Sequence, residues 1–291
     1  IPNALTSLPG DAEVVVLFES ESKNFRVFKT SDGSLVRQGR LPRCFYIIHQ
    51  FGRNLLYSTD QTARSIQLWD PLLDKILFEA SGMASSAGVS EREPEFTVVD
   101  PFGKVRVVEG LTGRVKIQIN LNPADFQFPQ QPPLLKSFTD GTRYYVNVHR
   151  QLQMMSNSFH AEAIFPTLQI TGDLHAVDPK TSKLLWTRTK MSAQNVVYLS
   201  DYRLPFLVTL SRWRGQLRAN SQTSLRIEVI DGETGTTIAS KPNAVNDRLF
   251  LSDYDRTAGT LRLRGAVTQI HLDFGRKVNP PDSGGDEFSK R

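Results

Sequence analysis

One strand–turn–strand pattern recurs along the chain and limits what it can fold into. An apolar strand closes on a polar, usually acidic residue, a short polar turn follows, and a second strand begins. Aligned on the closing residue, the copies are FRVFKTSDGSLVR at Lys29, IQLWDPLLDKILF at Asp70, VRVVEGLTGRVKI at Glu109, LHAVDPKTSKLLW at Asp178 and IEVIDGETGTTIA at Asp231. These anchors stand 41, 39, 69 and 53 residues apart, and a weaker sixth copy, LRLRGAVTQIHLDF, spans 261–274. Self-similarity at about 40 residues marks a repeat architecture.

The chemistry of the turn explains which residue types recur. An Asp or Glu at the end of the first strand can accept hydrogen bonds from amides two or three residues on, and Thr followed by Gly supplies a second local bond and a residue that tolerates positive φ. Gly113 and Gly235 fill that last place, with Asp74 and Ser182 in other copies. Pro71 and Pro179 pin φ directly after their anchors.

Another alternating segment lies upstream of most anchors: VVVLFES (14–20), NLLYSTD (54–60), EFTVVD (95–100), RYYVNVH (143–149), PFLVTLS (205–211) and RLFLSD (248–253). No amphipathic helix is legible. Three or four short antiparallel strands per unit of about 40 residues predict an all-β chain, a β-propeller of about six four-stranded blades; five blades or an incomplete ring also fit. The irregular steps place long insertions. NLNPADFQFPQQPPLLKSF, rich in Pro and Gln, is expected to form no ladder strand. HRQLQMMSNSFHAEAIFPT and SRWRGQLRANSQTS are expected to be further loops. Residues 1–277 are thus expected to form the propeller and 278–291 a flexible tail, with the whole either a processed form or a piece of a larger protein.

Residues 176–186 carry Ala176, Asp178, Thr181 and Trp186 in the spacing A-x-D-x-x-T-x-x-x-x-W. This resembles the repeat of the pyrroloquinoline-quinone-type β-propellers, A-x-D-x-x-T-G-x-x-x-W, with Ser182 in the place of its Gly. The Trp place holds Arg37, Phe78, Ile117 and Ala239 in the other copies, so the chain resembles a degenerate-repeat member. The resemblance implies that the Trp seats one blade on the next, a role extended here to Trp69, with Asp70, Asp231, Gly113 and Gly235 as turn builders beside Asp178 and Thr181. The catalytic quinoproteins are eight-bladed and hold a quinone beside Ca²⁺, often with a disulfide between adjacent cysteines. A chain of 291 residues with Cys44 as its one cysteine matches neither requirement. No cofactor and no catalytic or metal site is therefore expected. The resemblance implies instead a non-catalytic scaffold, commonly extracytoplasmic.

Other chemistry is sparse. With 35 basic and 30 acidic residues interspersed, the charge of +5 gives no concentrated basic face, so no nucleic-acid partner is expected. No apolar run reaches the ~18 residues of a membrane span. His49, His149, His160, His175 and His271 lack zinc-site spacing, and Cys44 sits in an apolar run that suits an inert buried thiol. The acid pairs Glu91/Glu93 and Asp253/Asp255 fall in expected loops, and DYDRTAG (253–259) reads as a polar hairpin rather than a calcium loop. The best non-repeat candidate is the loop carrying Arg212, Trp213, Arg214 and Arg218, since Arg and Trp dominate binding hot spots; the competing reading makes Trp213 a blade-docking residue. The function expected is a scaffold or protein-interaction module with protein partners. The alternatives are an enzyme with a central-channel site, quinoprotein-like or hydrolytic, and a carbohydrate or cell-wall binder using Trp213.

Overall fold

Strand burial in this protein follows two rules, one for strands with a free face and one for strands packed on both faces. The computed structural model describes residues 5–8, 13–19, 21–41, 44–59, 65–81, 86–90, 93–123, 133–149, 167–197, 206–214, 223–244, 249–255, 257–265 and 269–273. Every regular element among them, short turns aside, is a β-strand. The first sheet orders β1 (Leu5–Leu8), β2 (Val14–Glu19), β3 (Asn24–Lys29) and β4 (Leu35–Arg40) side by side. The second orders β5 (Tyr46–Phe51), β6 (Asn54–Ser58), β7 (Ile66–Asp70) and β8 (Lys75–Ala80), and the third β9 (Ser86–Val89), β10 (Glu95–Val99), β11 (Lys104–Glu109) and β12 (Val115–Asn120). All three are antiparallel meanders.

Next come seven strands in chain order: β13 (Leu134–Thr139), β14 (Tyr144–His149), β15 (Thr167–Val177), β16 (Leu184–Val197), β17 (Phe206–Arg214), β18 (Thr223–Asp231) and β19 (Thr237–Ala244). A three-stranded sheet, β20 (Leu249–Asp255), β21 (Thr260–Gly265) and β22 (Gln269–Asp273), follows. The chain divides into two compact units, residues 1–155 with 171–191, and 156–170 with 192–291. Strands β15 and β16 each run from one unit into the other. The fourteen-residue β16 thereby serves twice: it closes the group β13–β16, and its end Asn195–Val197 pairs with Leu210, Thr209 and Val208 of β17 to open the next. The fold is all-β and built of about six propeller-type blades. Each of the five aligned turns joins the last two strands of its group.

In the first unit each sheet packs its faces against its neighbours in sequence. β2 alternates, burying Val14, Val16 and Phe18. β6, β7, β10 and β14 are buried at every position, because alternate residues serve different cores. Leu55, Tyr57 and Trp69 join Val16, Phe18, Phe25 and Val27 of the first sheet. Leu56, Ile66 and Leu68 instead join Phe96, Val98 and Val108 of the third. The third sheet then packs Val105, Val107, Ile117 and Ile119 against Leu135, Tyr144, Val146 and Val148. The second unit has its own core of Phe206, Val208, Leu210, Ile227, Val229, Leu261 and Leu263.

The Pro- and Gln-rich segment departs from expectation: its end, Leu134–Thr139, is β13, paired along its whole length with β14. The prolines stop at Pro133, and the run after them has the free amides and buried Leu135 and Phe138 of a ladder strand. The supposed loop at 211–224 likewise lies partly in the ladder, because β17 extends to Arg214 and β18 begins at Thr223.

Candidate interaction surface

The backbone of the aligned turn closes in the same way in four copies. The Asp178 amide donates to the Lys183 carbonyl, and the Ser182 amide returns a bond to the Asp178 carbonyl. The same pair of bonds closes the turns at Lys29, Glu109 and Asp231. The acidic side chains are taken up locally. Asp178 accepts the Thr181 hydroxyl at 2.7 Å and the Lys180 amide at 2.9 Å, which hold its carboxyl below the usual range. Asp70 accepts the amides of Leu72 and Leu73, and Asp231 those of Glu233 and Thr234. Asp178 and Asp231 are thus bonded within their own turns, while Asp70 in addition pairs with Arg53 at 3.0 Å.

The fourth residue after the anchor takes a left-handed conformation in all five copies: Gly33, Asp74, Gly113, Ser182 and Gly235 have φ of 68°, 53°, 75°, 55° and 71°. In the middle three copies this residue also touches the last strand of the preceding sheet. Asp74 pairs with Arg37 of β4 at 2.6 Å and accepts the Trp69 indole N–H at 3.1 Å. A Cβ built on Gly113 would lie 2.6 Å from the Leu77 carbonyl oxygen of β8. The Ser182 hydroxyl accepts the Gln118 amide of β12. One position in the turn therefore joins sheet to sheet through an ion pair, a bare backbone contact and a hydrogen bond in turn.

A β-bulge follows at a constant place. Val27 pairs with Arg37 and Phe28 with Leu35, leaving Val36 extra. Leu77, Lys116 and Ile238 are the extra residues of the corresponding strands. A bulge bends an edge strand and interrupts its ladder. Beside it aliphatic residues stay in water in the first three copies, Leu35 (49% exposed), Ile76 (46%) and Val115 (41%); in the last copy the bulge residue Ile238 is itself exposed (53%), and after the fourth turn Leu184 (46%) and Leu185 are exposed as well. Directly before Ile76, Val115 and Leu184 stand the exposed cations Lys75, Arg114 and Lys183.

The tryptophans differ in their contacts. Trp69 lies between the first two sheets, edge-on to Phe25 with ring centroids 4.7 Å apart. Trp186 meets Tyr145, a residue of its own group of strands, at 5.9 Å. Phe78, in the Trp place of the second copy, lies edge-on to Phe96 of the third sheet.

Between the third sheet and β14, Glu95 is buried against the Lys116 ammonium and accepts the Tyr144 hydroxyl at 2.9 Å. Lys116 is the bulge residue of its strand, and the bulge lets it reach Glu95 rather than continue the alternation. Burial, with Glu95 beside it, pushes the Tyr144 phenol well above its usual range. The composition of the chain gave no hint of this ion pair.

Among the described residues no group of three or more His, Cys, Asp or Glu is arranged to hold a metal, and no helix is long and apolar enough to cross a membrane. Cys44 is buried in the core between the first two sheets, and burial pushes its thiol up to about 11. The imidazoles of His49 and His149 are held below their usual range by burial, and His175 bonds to Thr187 at 3.0 Å. In DYDRTAG, Asp255 accepts the amides of Thr257 and Ala258 at the tip of the β20–β21 hairpin. Arg212, Trp213 and Arg214 are the last residues of β17, opposite Leu225, Ser224 and Thr223 of β18. Their side chains lie outside the described residues, as do Arg218, Glu91, His160 and the tail 278–291.

No protein-family model matches the chain, and no curated protein matches it. Solved structures similar to it include BamB from Moraxella catarrhalis, at TM-score 0.41 and 9% identity over 94% of this chain and 78% of that one. The WD40 domain of Toxoplasma gondii coronin gives 0.37 and 9%, over 94% and 70%. The Neurospora crassa Pan2 WD40 domain gives 0.32 and 11%, over 94% and 80%. The fold assignment rests on the sheet order and register described above, not on these distant likenesses.

Proposed function

We propose that this chain is a non-catalytic scaffold that binds protein partners. The observation that supports it most is a division of labour within the repeat. The carboxylates of the aligned motif are engaged within the fold, by their own turns and by Arg53 and Lys116, while aliphatic residues after the turns stay exposed in successive sheets. Exposed aliphatics that recur by position, rather than singly, mark an interaction surface. Arg212, Trp213 and Arg214 at the end of β17, together with Arg218, are a second contact of the same module. An extracytoplasmic setting accompanies this reading through the resemblance of residues 176–186.

The test is capture with the immobilised chain and with its Ile76→Ser/Leu184→Ser variant, followed by reconstitution of each captured protein in purified form. A partner that binds the chain directly and loses affinity for the variant supports the reading. Uptake of one equivalent of pyrroloquinoline quinone in the presence of Ca²⁺, seen by absorbance, would overturn it in favour of the enzyme reading.

A further inference from the structure

We propose that the rim formed by the strand ends that follow the turns of the first unit docks a protein segment in which carboxylates alternate with aliphatic side chains. This rests on the interaction-module reading and names its partner's chemistry. Three observations carry it.

First, the rim is continuous. Leu35 and Val36, Ile76, Val115, and Leu184 with Leu185 belong to four successive groups of strands. Consecutive groups are joined at this level by Arg37 with Asp74, Leu77 with Gly113, and Gln118 with Ser182. Second, the rim is cationic at its surface. Lys75, Arg114 and Lys183 each precede an exposed aliphatic residue. Of the nearby acids, Asp74 is ion-paired with Arg37 and Glu109 with Arg114 and Lys116, and Asp178 accepts the Thr181 hydroxyl, so the excess positive charge of the rim comes from Lys75 and Lys183. Among the described residues, no ion pair engages Lys75 or Lys183. An acidic segment gains from this pattern and a basic one is repelled.

Third, the bulges choose the mode of docking. β4, β8 and β12 each end their sheet, yet the bulge breaks the ladder at the end where the aliphatics lie. A bulged edge resists the addition of another strand. The partner is therefore held by side chains and runs across the sheets, from one bulge to the next.

The test uses fluorescein-labelled short peptides and anisotropy: one alternating Glu with Leu, one alternating Lys with Leu, and one alternating Glu with Ser. The Glu–Leu peptide is expected to bind, and the other two are not. Charge reversal in Lys75→Glu/Lys183→Glu should weaken binding about tenfold or more, and raised salt should weaken it in the parent chain. Ile76→Ser/Leu184→Ser should weaken it by a similar factor with little change in salt dependence. All four positions are exposed, and an unchanged thermal midpoint confirms that the variants fold. Equal binding of the Lys–Leu peptide, or indifference to charge reversal, overturns the proposal. So does a dimer of the chain that Ile76→Ser/Leu184→Ser dissolves, since the rim would then be a self-interface. A directly bound partner that depends on Ile76 and Leu184, combined with no Glu–Leu binding, sinks this inference alone; partners indifferent to those residues sink the module reading itself.

Discussion

Gly113 and Gly33 occupy the same place in two copies of the turn and share a left-handed backbone, yet their surroundings differ completely. A Cβ at Gly113 would lie 2.6 Å from the Leu77 carbonyl oxygen and 2.7 Å from the Leu77 Cβ, whereas a Cβ at Gly33 meets nothing within 4 Å. Ala at either position must hold positive φ, at roughly 1–2 kcal/mol. The smaller entropy of the unfolded Ala chain offsets about 0.4–1 kcal/mol of that. Gly33→Ala should therefore cost no more than about 1.6 kcal/mol. At Gly113 the added methyl presses on a neighbouring strand's backbone, and overpacking of this kind costs a further ~1–3 kcal/mol. Urea unfolding followed by the fluorescence of buried Trp69 and Trp186 measures both variants in one protein. Gly113→Ala should lower the midpoint clearly more than Gly33→Ala, with the slope unchanged. Equal losses would show that the turn of the third sheet does not bear on the strand before it, and the sheet-to-sheet role of this position would fall.

Three further outcomes are expected. Trp69→Ala removes the ring between the first two sheets and should cost about 3–5 kcal/mol, read by the same urea titration; Trp69→Phe should recover part of the loss. Lys116→Met strands the buried Glu95 carboxylate and should destabilise by about 2–3 kcal/mol, somewhat below the range for a fully buried pair because Lys116 is partly exposed. The double variant with Glu95→Gln should be more stable than Lys116→Met alone, and a double-mutant cycle checks this. Cys44 binds its proton more tightly in the folded chain than the ordinary thiol value of 9.0, its pKa standing at about 11. Its contribution is therefore complete below about pH 9 and is lost as pH rises through 11. At pH 8 the thiol should react with a disulfide reagent only at the rate of opening, and reaction at a free-thiol rate would contradict its burial.

The turn was legible in the sequence and the packing was not, for a physical reason. Beyond its backbone bonds, the turn uses a side chain at the anchor that accepts from the second and third residues on, and a fourth residue that accepts positive φ. Few side chains meet those demands, so Asp, Thr and Gly persist as a pattern. Filling the space between two sheets asks only for suitable volume. Trp69 with Phe25, Phe78 with Phe96, and Ile117 beside Tyr144 all satisfy it, and they share no motif. Strand β13 was hidden by the prolines before it, and the double use of β16 by the assumption that each blade owns four strands. The Glu95–Lys116 pair was invisible because 95 and 116 are far apart in sequence and meet only through a bulge.

The bulges tie the fold to its proposed use. A blade whose last strand is flat and apolar invites another strand onto its open edge, and several such edges in one chain multiply the hazard of aggregation. Here the strand end next to the turn, where the exposed aliphatics gather, is the end that the bulge removes from the ladder. Leu35, Ile76 and Val115 can then remain in water without offering a template for strand pairing. Lys75 and Lys183 beside Ile76 and Leu184 discourage a second copy of the same rim, since like charges would meet across it. What such a surface still accepts is a partner that brings carboxylates and aliphatic side chains together and needs no backbone pairing.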